Sequence, residues 1–291
     1  MKNQSYPNIE HIVVDGGSTD DTLDIVRKYG DSIILISEPD DGQSDAVNKG
    51  WRRANGGILG WLNSDDTYMP WAVQTAINFL SENPDIGMVY GGCNIIDERG
   101  KVIGQHHVEE FDVGKVLCGG RCVIAQPATF LHKEVLDEVG YLDTNLHMAM
   151  DLDLWIRIAL KFKVQYVNQV LANFRLCPGT KSVSSPDTFW PDRLAIIDKT
   201  FSNLEPPEEI RALRNQAYSN AHFMIGTQAM FHSGRIALIN GDWEEAKRSF
   251  MEALRNGRAP MKLGALLGLI CSYCRVDLEW IAAIMNKPRR K

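Results

Sequence analysis

The stretch Gly57–Pro70 reads Gly-Ile-Leu-Gly-Trp-Leu-Asn-Ser-Asp-Asp-Thr-Tyr-Met-Pro. Within it, the apolar run Ile58–Leu62 has glycine before it and the polar segment Asn63–Asp66 after it. A short apolar run with such borders is typical of a fully buried strand in a parallel sheet. The sequence therefore predicts a strand that is followed, at its carboxyl end, by the adjacent carboxylates Asp65 and Asp66.

Two interpretations of this carboxylate pair are open. Open α/β sheets bind ligands beyond the carboxyl ends of their strands, and a hard divalent cation on phosphate oxygens uses one or two carboxylates. Asp65 and Asp66 are therefore candidates for a metal and phosphate site. Alternatively, they favour the start of a helix predicted at Trp71–Leu80, because acidic side chains stabilise the amino terminus of a helix.

Outward from this stretch, strands alternate with helices. The predicted strands are His11–Asp15, Ser32–Ser37, Ile58–Leu62 and Ile86–Tyr90, and the predicted helices between them are Thr22–Tyr29, Gln43–Ala54 and Trp71–Leu80. This alternation predicts an α/β fold with a doubly wound, mostly parallel sheet.

The pattern becomes less regular after the fourth strand. A hairpin-like turn joins Cys93–Asp97 to Val102–Gln105, and Gln126–Leu131 is a further short strand. The segment Met150–Leu160 predicts an amphipathic helix that opens with Asp151 and another acid, Asp153. These first-turn acids suit the helix dipole, and a carboxylate at the mouth of a pocket would equally suit a general base.

Composition narrows the class of protein. The chain has 291 residues, of which 44% are hydrophobic and 23% charged, and its net charge of −6 argues against non-specific nucleic-acid binding. The six cysteines show no disulfide framework, which favours a reducing compartment. We find no pattern of a signal peptide and no apolar run of about 18 residues, so the expected location is cytoplasmic.

Five segments follow one another in a specific order. They are Val13–Asp20, Glu38–Gly50, Trp61–Asp66, Gln126–Ala128 and Asp151–Trp155. In this order they resemble the motifs of the inverting family 2 glycosyltransferases, and ordered motifs are far more specific than any single one. The resemblance covers roughly residues 6–180 and implies the GT-A fold, a nucleotide-binding α/β sandwich.

The resemblance also implies roles for individual residues. Asp15 would contact the nucleobase of a nucleotide sugar, with Asp45 near the same pocket. Asp65 would hold the ribose, and Asp66 would hold a divalent metal, Mn²⁺ or Mg²⁺, on the diphosphate. Asp151 would be the catalytic base.

Two departures from the family pattern bear on these roles. Family members usually begin with a strand and a helix that precede the segment equivalent to Tyr6–Asn8, so we expect an amino-terminally shortened sheet with exposed neighbouring edges. In addition, Met150 stands where the family often has Glu, which leaves the expected base in place without that neighbour.

The carboxyl-terminal part of the chain has a different composition. We expect a glycosyltransferase domain over residues 1–180 and a helical region over 181–291, in which Gly241–Leu254 resembles the second helix of one tetratricopeptide-like repeat. The apolar helices predicted at Lys262–Tyr273 and Asp277–Met285 precede a basic tail. They suit contact with an anionic membrane surface, or alternatively a core-packed helix pair.

Together these features predict an inverting, metal-dependent, hexosyltransferase-like enzyme. It would move a sugar from a nucleotide-diphosphate donor, with a UDP-sugar favoured, to a saccharide or lipid-linked acceptor during assembly of a surface polysaccharide. The alternative is a catalytically inactive, truncated relative that acts as an interaction module. A nucleotidyltransferase is disfavoured, because no Gly-rich, Lys-bearing phosphate loop follows the first predicted strand.

Overall fold

The computed structural model describes residue 1 and residues 3–177, 189–225, 243–256 and 259–274. The chain forms two compact units, Met1–Arg214 and Asn215–Lys291. The predicted domain boundary at residue 180 lies outside the described residues and stays a prediction.

The first unit begins with a two-stranded parallel sheet. Strand β1 (Ile12–Asp15) pairs with β2 (Ile34–Ser37), and helix α1 (Thr22–Arg27) lies between them along the chain. Helix α2 (Gln43–Arg53) follows β2, and the residue before it, Gly42, has φ of 104°. Glycine suits this position because other residues rarely adopt such a backbone conformation.

The second sheet has six strands in the order β3-β7-β5-β8-β4, with β6 paired to β5. The strands are β3 (Ile58–Gly60), β4 (Thr67–Tyr68), β5 (Ile86–Ile96), β6 (Val102–Gln105), β7 (Thr129–His132) and β8 (Lys163–Arg175). The long central strands β5 and β8 run parallel to each other, whereas the other four pairings are antiparallel.

The α/β class is therefore confirmed, but this sheet is mixed and the predicted parallel arrangement does not describe it. The apolar run that begins at Ile58 does form a strand, β3, but this strand pairs antiparallel with β7. The physical reason is that apolar periodicity reports burial on both faces of a strand and carries no information on the direction of its neighbours.

Further helices of the first unit are α3 (Ala72–Glu82), α4 (Val113–Leu117), α5 (Lys133–Val139), α6 (Met150–Ala159), α7 (Phe189–Asn203) and α8 (Glu208–Arg211). Of these, α3, α5 and α6 pack against strands of this sheet. Small side chains of α3, including Ala72 and Ala76, are fully buried against Val89 of β5 and Phe130 of β7. Small residues on a helix let it approach a sheet closely, which explains this dense contact.

The second unit contains a helix pair, α9 (Trp243–Asn256) and α10 (Ala259–Cys274). The two helices share a core in which Phe250 is fully buried, and a Cβ atom at Gly268 would lie only 2.4 Å from the Phe250 ring. The helix predicted at Asp277–Met285 and the basic tail lie outside the described residues. In the described part of the chain, no helix is long and apolar enough to cross a membrane.

Candidate functional site

A large cavity lies in the first unit and has a volume of about 1260 Å³. Residues of β1 and β3 line one part of this cavity. Among the described residues, each of these strands has a single paired neighbour, which is β2 for β1 and β7 for β3. The carboxylates Asp65, Asp66 and Asp151 line another part of the same cavity. The structure thus places Asp151 at the same cavity as Asp65 and Asp66, which come 86 and 85 positions earlier in the sequence.

Asp66 is the buried member of this group, with only 5% of its surface exposed. It follows β3 in a tight turn in which its backbone N–H donates to the carbonyl of Asn63 over 3.2 Å. Its Oδ1 accepts a 2.8 Å hydrogen bond from the backbone N–H of Arg175. Burial raises the pKa of the Asp66 carboxyl to about 6, with the neighbouring Asp65 charge contributing to the rise.

The surroundings of Asp66 fit a divalent cation. Its Oδ2 receives only a long 3.4 Å contact from the Asn63 amide, so one oxygen keeps capacity for a further partner. Among the described residues, no group of three or more His, Cys, Asp or Glu side chains converges as a complete protein cage for a metal. One or two carboxylates plus substrate phosphates are the usual setting for Mg²⁺, and Asp66 beside Asp65 matches that donor set.

Asp65 is exposed, and its main chain is held by a neighbouring guanidinium. The Arg175 side chain donates from Nε to the Asp65 carbonyl over 2.9 Å and from one terminal nitrogen to the carbonyls of Asp97 and Glu98. The same residue therefore ties the loop after β3 to the turn between β5 and β6. This cation stabilises the backbone that carries both carboxylates.

Asn63 also lines the cavity and is the centre of a polar network that local sequence does not indicate. Its Oδ1 accepts hydrogen bonds from Trp61 Nε1 and Gln43 Nε2, each over 2.9 Å. Its Nδ2 donates to Gln126 Oε1 over 2.9 Å, and Gln126 in turn donates to the carbonyl of Trp61. This polar network joins α2, the β3 loop and the segment before β7. The network positions the turn that ends at Asp66.

The two first-turn acids of α6 have different environments. Asp151 is half-buried, lines the cavity and accepts a 2.7 Å hydrogen bond from the backbone N–H of Leu152. Asp153 is 1% exposed and forms ion pairs with Arg157 at 2.8 Å and Lys199 at 3.1 Å. Of the two acids, Asp151 is therefore placed to meet a ligand, while Asp153 is a structural anchor.

Asp15 and Asp45 are not among the residues that line this cavity, although their chain neighbours Val14 and Ala46 are. The Asp15 carboxylate accepts hydrogen bonds from the Ser18 and Gly17 N–H groups and from the Ser37 hydroxyl, and the bonds from Ser18 and Ser37 lower its pKa. Asp45 pairs with Lys49 at 3.1 Å, which lowers the pKa of its carboxyl. Both groups stabilise local turns, and their roles toward a ligand stay predictions.

Three histidines also line the cavity, His11, His106 and His147. His106 is half-buried after β6, and burial lowers its pKa. Its Nδ1 is buried and makes no hydrogen bond to the described residues. The adjacent histidine, His107, is exposed. The two histidines therefore differ in burial, which their positions in the sequence do not indicate.

Comparison with known proteins gives a consistent picture. Residues 1–140 match the model of the family described as Glycosyl transferase family 2. An uncharacterized glycosyltransferase of Rickettsia prowazekii is 30% identical over 186 residues, which are 60% of this chain and 56% of that protein. A second one, of Rickettsia felis, is 29% identical over 62% of this chain and 32% of its own length. The chain thus spans between a third and a little over half of these relatives.

Solved structures share the fold. The Staphylococcus aureus TarS fragment 1–349 in complex with UDP-GlcNAc has a TM-score of 0.61 at 17% identity, over 97% of this chain and 85% of that one. The mannosyltransferase PcManGT from Pyrobaculum calidifontis, in complex with GDP-Man and Mn²⁺, has a TM-score of 0.58 at 17% identity, over 98% of this chain and 77% of that one. At such identities the likeness concerns the fold.

Proposed function

Because residues 1–140 belong to glycosyl transferase family 2 and the chain has the α/β fold of GT-A enzymes, we propose that the protein is an inverting glycosyltransferase. Its donor is a nucleotide-diphosphate sugar, preferably a UDP-sugar, and its acceptor is a hydroxyl of a saccharide or a lipid-linked saccharide. The observation that carries this proposal is that buried Asp66 and half-buried Asp151 line one cavity.

The proposed chemistry assigns the proton to Asp151. An acceptor hydroxyl is a poor nucleophile, so the Asp151 carboxylate takes its proton as the oxygen attacks the anomeric carbon. The bond from that carbon to the diphosphate oxygen breaks on the opposite face, and the nucleoside diphosphate leaves with the electron pair. Attack from the face opposite the leaving group inverts the anomeric configuration. No covalent bond to the protein is formed.

The leaving diphosphate gathers negative charge, which needs compensation. Asp66, assisted by Asp65, would hold Mn²⁺ or Mg²⁺, and such an ion supplies charge neutralisation at the departing oxygens. Asp65 is also proposed to bind the ribose. The complex of the mannosyltransferase PcManGT with GDP-Man and Mn²⁺ supports testing a metal in this role.

Asp15 and Asp45 are proposed to lie near the nucleobase. The Oδ1 atom of Asp15 accepts one long backbone hydrogen bond, over 3.3 Å from the Ser18 N–H, whereas Oδ2 accepts three hydrogen bonds. Oδ1 therefore keeps capacity to accept from a base N–H group, which both uracil and guanine present. The TarS complexes with UDP and UDP-GlcNAc support testing uridine nucleotides first.

We also propose that the acceptor is presented at a membrane, as in assembly of a surface polysaccharide. Helix α10 exposes a stripe of large apolar side chains, with exposed fractions between 44% and 65%: Leu266, Leu267, Ile270 and Tyr273. An apolar helix face followed by the basic sequence Lys287–Lys291 suits peripheral contact with anionic lipid. Flotation with anionic and with neutral vesicles tests this contact, and equal recovery with both would argue against it.

The enzyme proposal is tested by titration calorimetry of UDP and of GDP, each with and without Mn²⁺. We expect metal-dependent binding of one nucleotide that Asp66→Ala abolishes. The exposed carboxylate Asp24 provides the matched control, because Asp24→Ala removes the same charge outside the cavity. Absence of binding by the folded wild-type chain would refute the proposal.

The role of Asp151 requires a second measurement. We expect Asp151→Asn to bind the nucleotide as the wild type does and to lose UDP release from UDP-GlcNAc by about 100-fold or more, because a positioned base contributes roughly this factor. Equal rates of UDP release in wild type and variant would remove Asp151 from the catalytic role.

A further inference from the structure

Helix α6 begins without a capping side chain of its own. The residue at its N-cap position is Ala149, which has no side-chain acceptor, and the structure gives no side-chain cap there. The first N–H groups of a helix have no partner within the helix and require another acceptor. This matters because Asp151, the proposed base, is the second residue of α6.

A side chain of a different helix binds the segment that leads into α6, including the N–H of the N-cap residue Ala149. Oδ2 of Asp192, in α7, accepts three backbone hydrogen bonds, from His147 at 2.8 Å, from Met148 at 2.6 Å and from Ala149 at 3.1 Å. Asp192 is 8% exposed, so these bonds are shielded from water. A buried carboxylate that accepts several N–H groups forms strong, charge-assisted bonds.

The start of α7 is anchored by Arg193, the residue that follows Asp192 in the chain. Arg193 is 4% exposed and donates to the carbonyls of Gly120, over 3.0 Å, and of Val116. Its guanidinium also lies over the ring of Trp190, 5.2 Å from the centroid. The start of α7 is thereby fixed to the segment that leads to Cys122, another residue that lines the cavity.

We propose that Asp192 is a positioning residue for Asp151. By binding the N–H groups of residues 147–149, it fixes the point at which α6 begins and hence the place where the Asp151 carboxylate meets the cavity. Residues 147 and 148 line the cavity as well, so the same carboxylate shapes the wall on the acceptor side of the proposed reaction. The catalytic part of this inference rests on the proposed function, whereas the holding of residues 147–149 does not.

The experiment compares Asp192→Ala and Asp192→Asn with Thr200→Val in the full chain. Thr200 is the matched control because it lies in α7, is 1% exposed and bonds only to the carbonyl of Ile196 in the same helix. Hydrogen–deuterium exchange at residues 147–149 is measured first. We expect Asp192→Ala to accelerate it about tenfold or more, since the acceptor of all three amides is lost.

Asp192→Asn keeps one acceptor oxygen without the charge, so we expect it to restore part of this protection. Thr200→Val should leave exchange at residues 147–149 unchanged, and exchange at residues 58–66 should be unchanged in all three variants. Equal acceleration by Thr200→Val, or unchanged exchange in Asp192→Ala, would overturn the proposal.

The consequence for turnover is measured as UDP release from UDP-GlcNAc with Mn²⁺. Asp192→Ala should lower kcat about tenfold or more while KM for the donor and the affinity for UDP stay within about twofold, because the Asp66 side of the cavity is untouched. A fall in kcat and UDP affinity together would show a general structural role and overturn the assignment. Accelerated exchange in a chain whose wild type binds no UDP would instead contradict the proposed function alone.

Discussion

The backbone N–H of Arg175 donates a 2.8 Å hydrogen bond to Oδ1 of Asp66, which joins the end of β8 to the buried carboxylate across 109 positions of the chain. This bond satisfies one carboxylate oxygen and leaves the other with only a 3.4 Å contact. The group therefore remains poorly compensated for the loss of water around it, which explains why burial raises its pKa to about 6.

From this relationship we predict that Asp66→Asn stabilises the metal-free protein. The pKa of the carboxyl rises from 3.8 to about 6 on folding, so the folded state prefers the protonated form. The charged carboxylate lowers the free energy of unfolding. This reduction grows as pH rises from about 4 to 6 and stays constant above pH 6. We expect the variant to gain about 1–3 kcal/mol in free energy of unfolding at pH 7.5.

The measurement is urea unfolding of both proteins between pH 4 and 8 with a chelator present. The difference should grow from pH 4 to 6 and then level off. The control Asp24→Asn removes an exposed carboxylate and should change stability by less than about 0.5 kcal/mol. A difference that does not vary with pH would contradict the interpretation.

A second prediction concerns the side chain of Arg175. Its guanidinium bonds to three carbonyl groups, whereas the ammonium of Arg175→Lys is a single point donor and cannot span them. We expect a loss of about 1–3 kcal/mol in stability. Metal-dependent UDP affinity should fall far less than in Asp66→Ala, because the backbone N–H to Asp66 is retained.

Thermal unfolding and calorimetry check this pair of expectations. Arg99→Lys is the control, since Arg99 is exposed in the adjacent turn. If both Lys variants unfold at the same temperature as the wild type, the bonds of the Arg175 guanidinium contribute nothing measurable.

A third prediction addresses the polar network around Asn63. Asn63→Ala removes the hydrogen bonds that Asn63 accepts from Trp61 Nε1 and Gln43 Nε2 and the one that it donates to Gln126 Oε1. Unpaired buried polar groups are costly, so we expect a loss of about 1–3 kcal/mol in the free energy of unfolding and weaker nucleotide binding. Denaturant unfolding measures the first effect. The exposed neighbour Ser64 gives the control Ser64→Ala, which should be close to neutral.

A fourth prediction uses a close contact between Gly60 and Tyr68. A Cβ atom at Gly60 would lie 2.7 Å from Tyr68 Oη and 3.2 Å from a ring atom of Phe130, so Gly60→Ala should cost about 1–3 kcal/mol. Tyr68 Oη is buried and makes no hydrogen bond to the described residues. Tyr68→Phe should therefore stabilise the protein by about 1 kcal/mol, because it removes an uncompensated polar atom.

The two substitutions should also be coupled. Tyr68→Phe removes the atom that the new methyl group would meet, so the cost of Gly60→Ala should shrink by about 1 kcal/mol in the Tyr68→Phe background. A double-mutant cycle by denaturant unfolding measures this term. Strict additivity would show that the two positions do not share the contact.

Several features of the fold were predictable from local sequence. The apolar run at Ile58, the helix at Gln43 and the helix that carries Asp151 all appear where hydrophobic periodicity and end signals placed them. These signals are local, since they depend on residues within one or two turns of the chain.

Other features were beyond such signals. The direction in which β3 pairs, the burial of Asp66 to 5% and the bond from Arg175 all depend on segments far away in the chain. The distinction between Asp151 and Asp153 likewise arises from what each side chain meets, a cavity for one and the cations Arg157 and Lys199 for the other.

The sequence by itself determined the α/β class, the order of the motifs and the residue types available for chemistry, because these follow from short-range periodicity and from the motifs as written. Only the tertiary structure decided which carboxylates share a cavity. It also decided that Asp192, 41 positions after Asp151 in the chain, binds the segment that leads into the helix of Asp151. The physical reason is that burial and hydrogen-bond partners are properties of packed surfaces, and distant segments create those surfaces together.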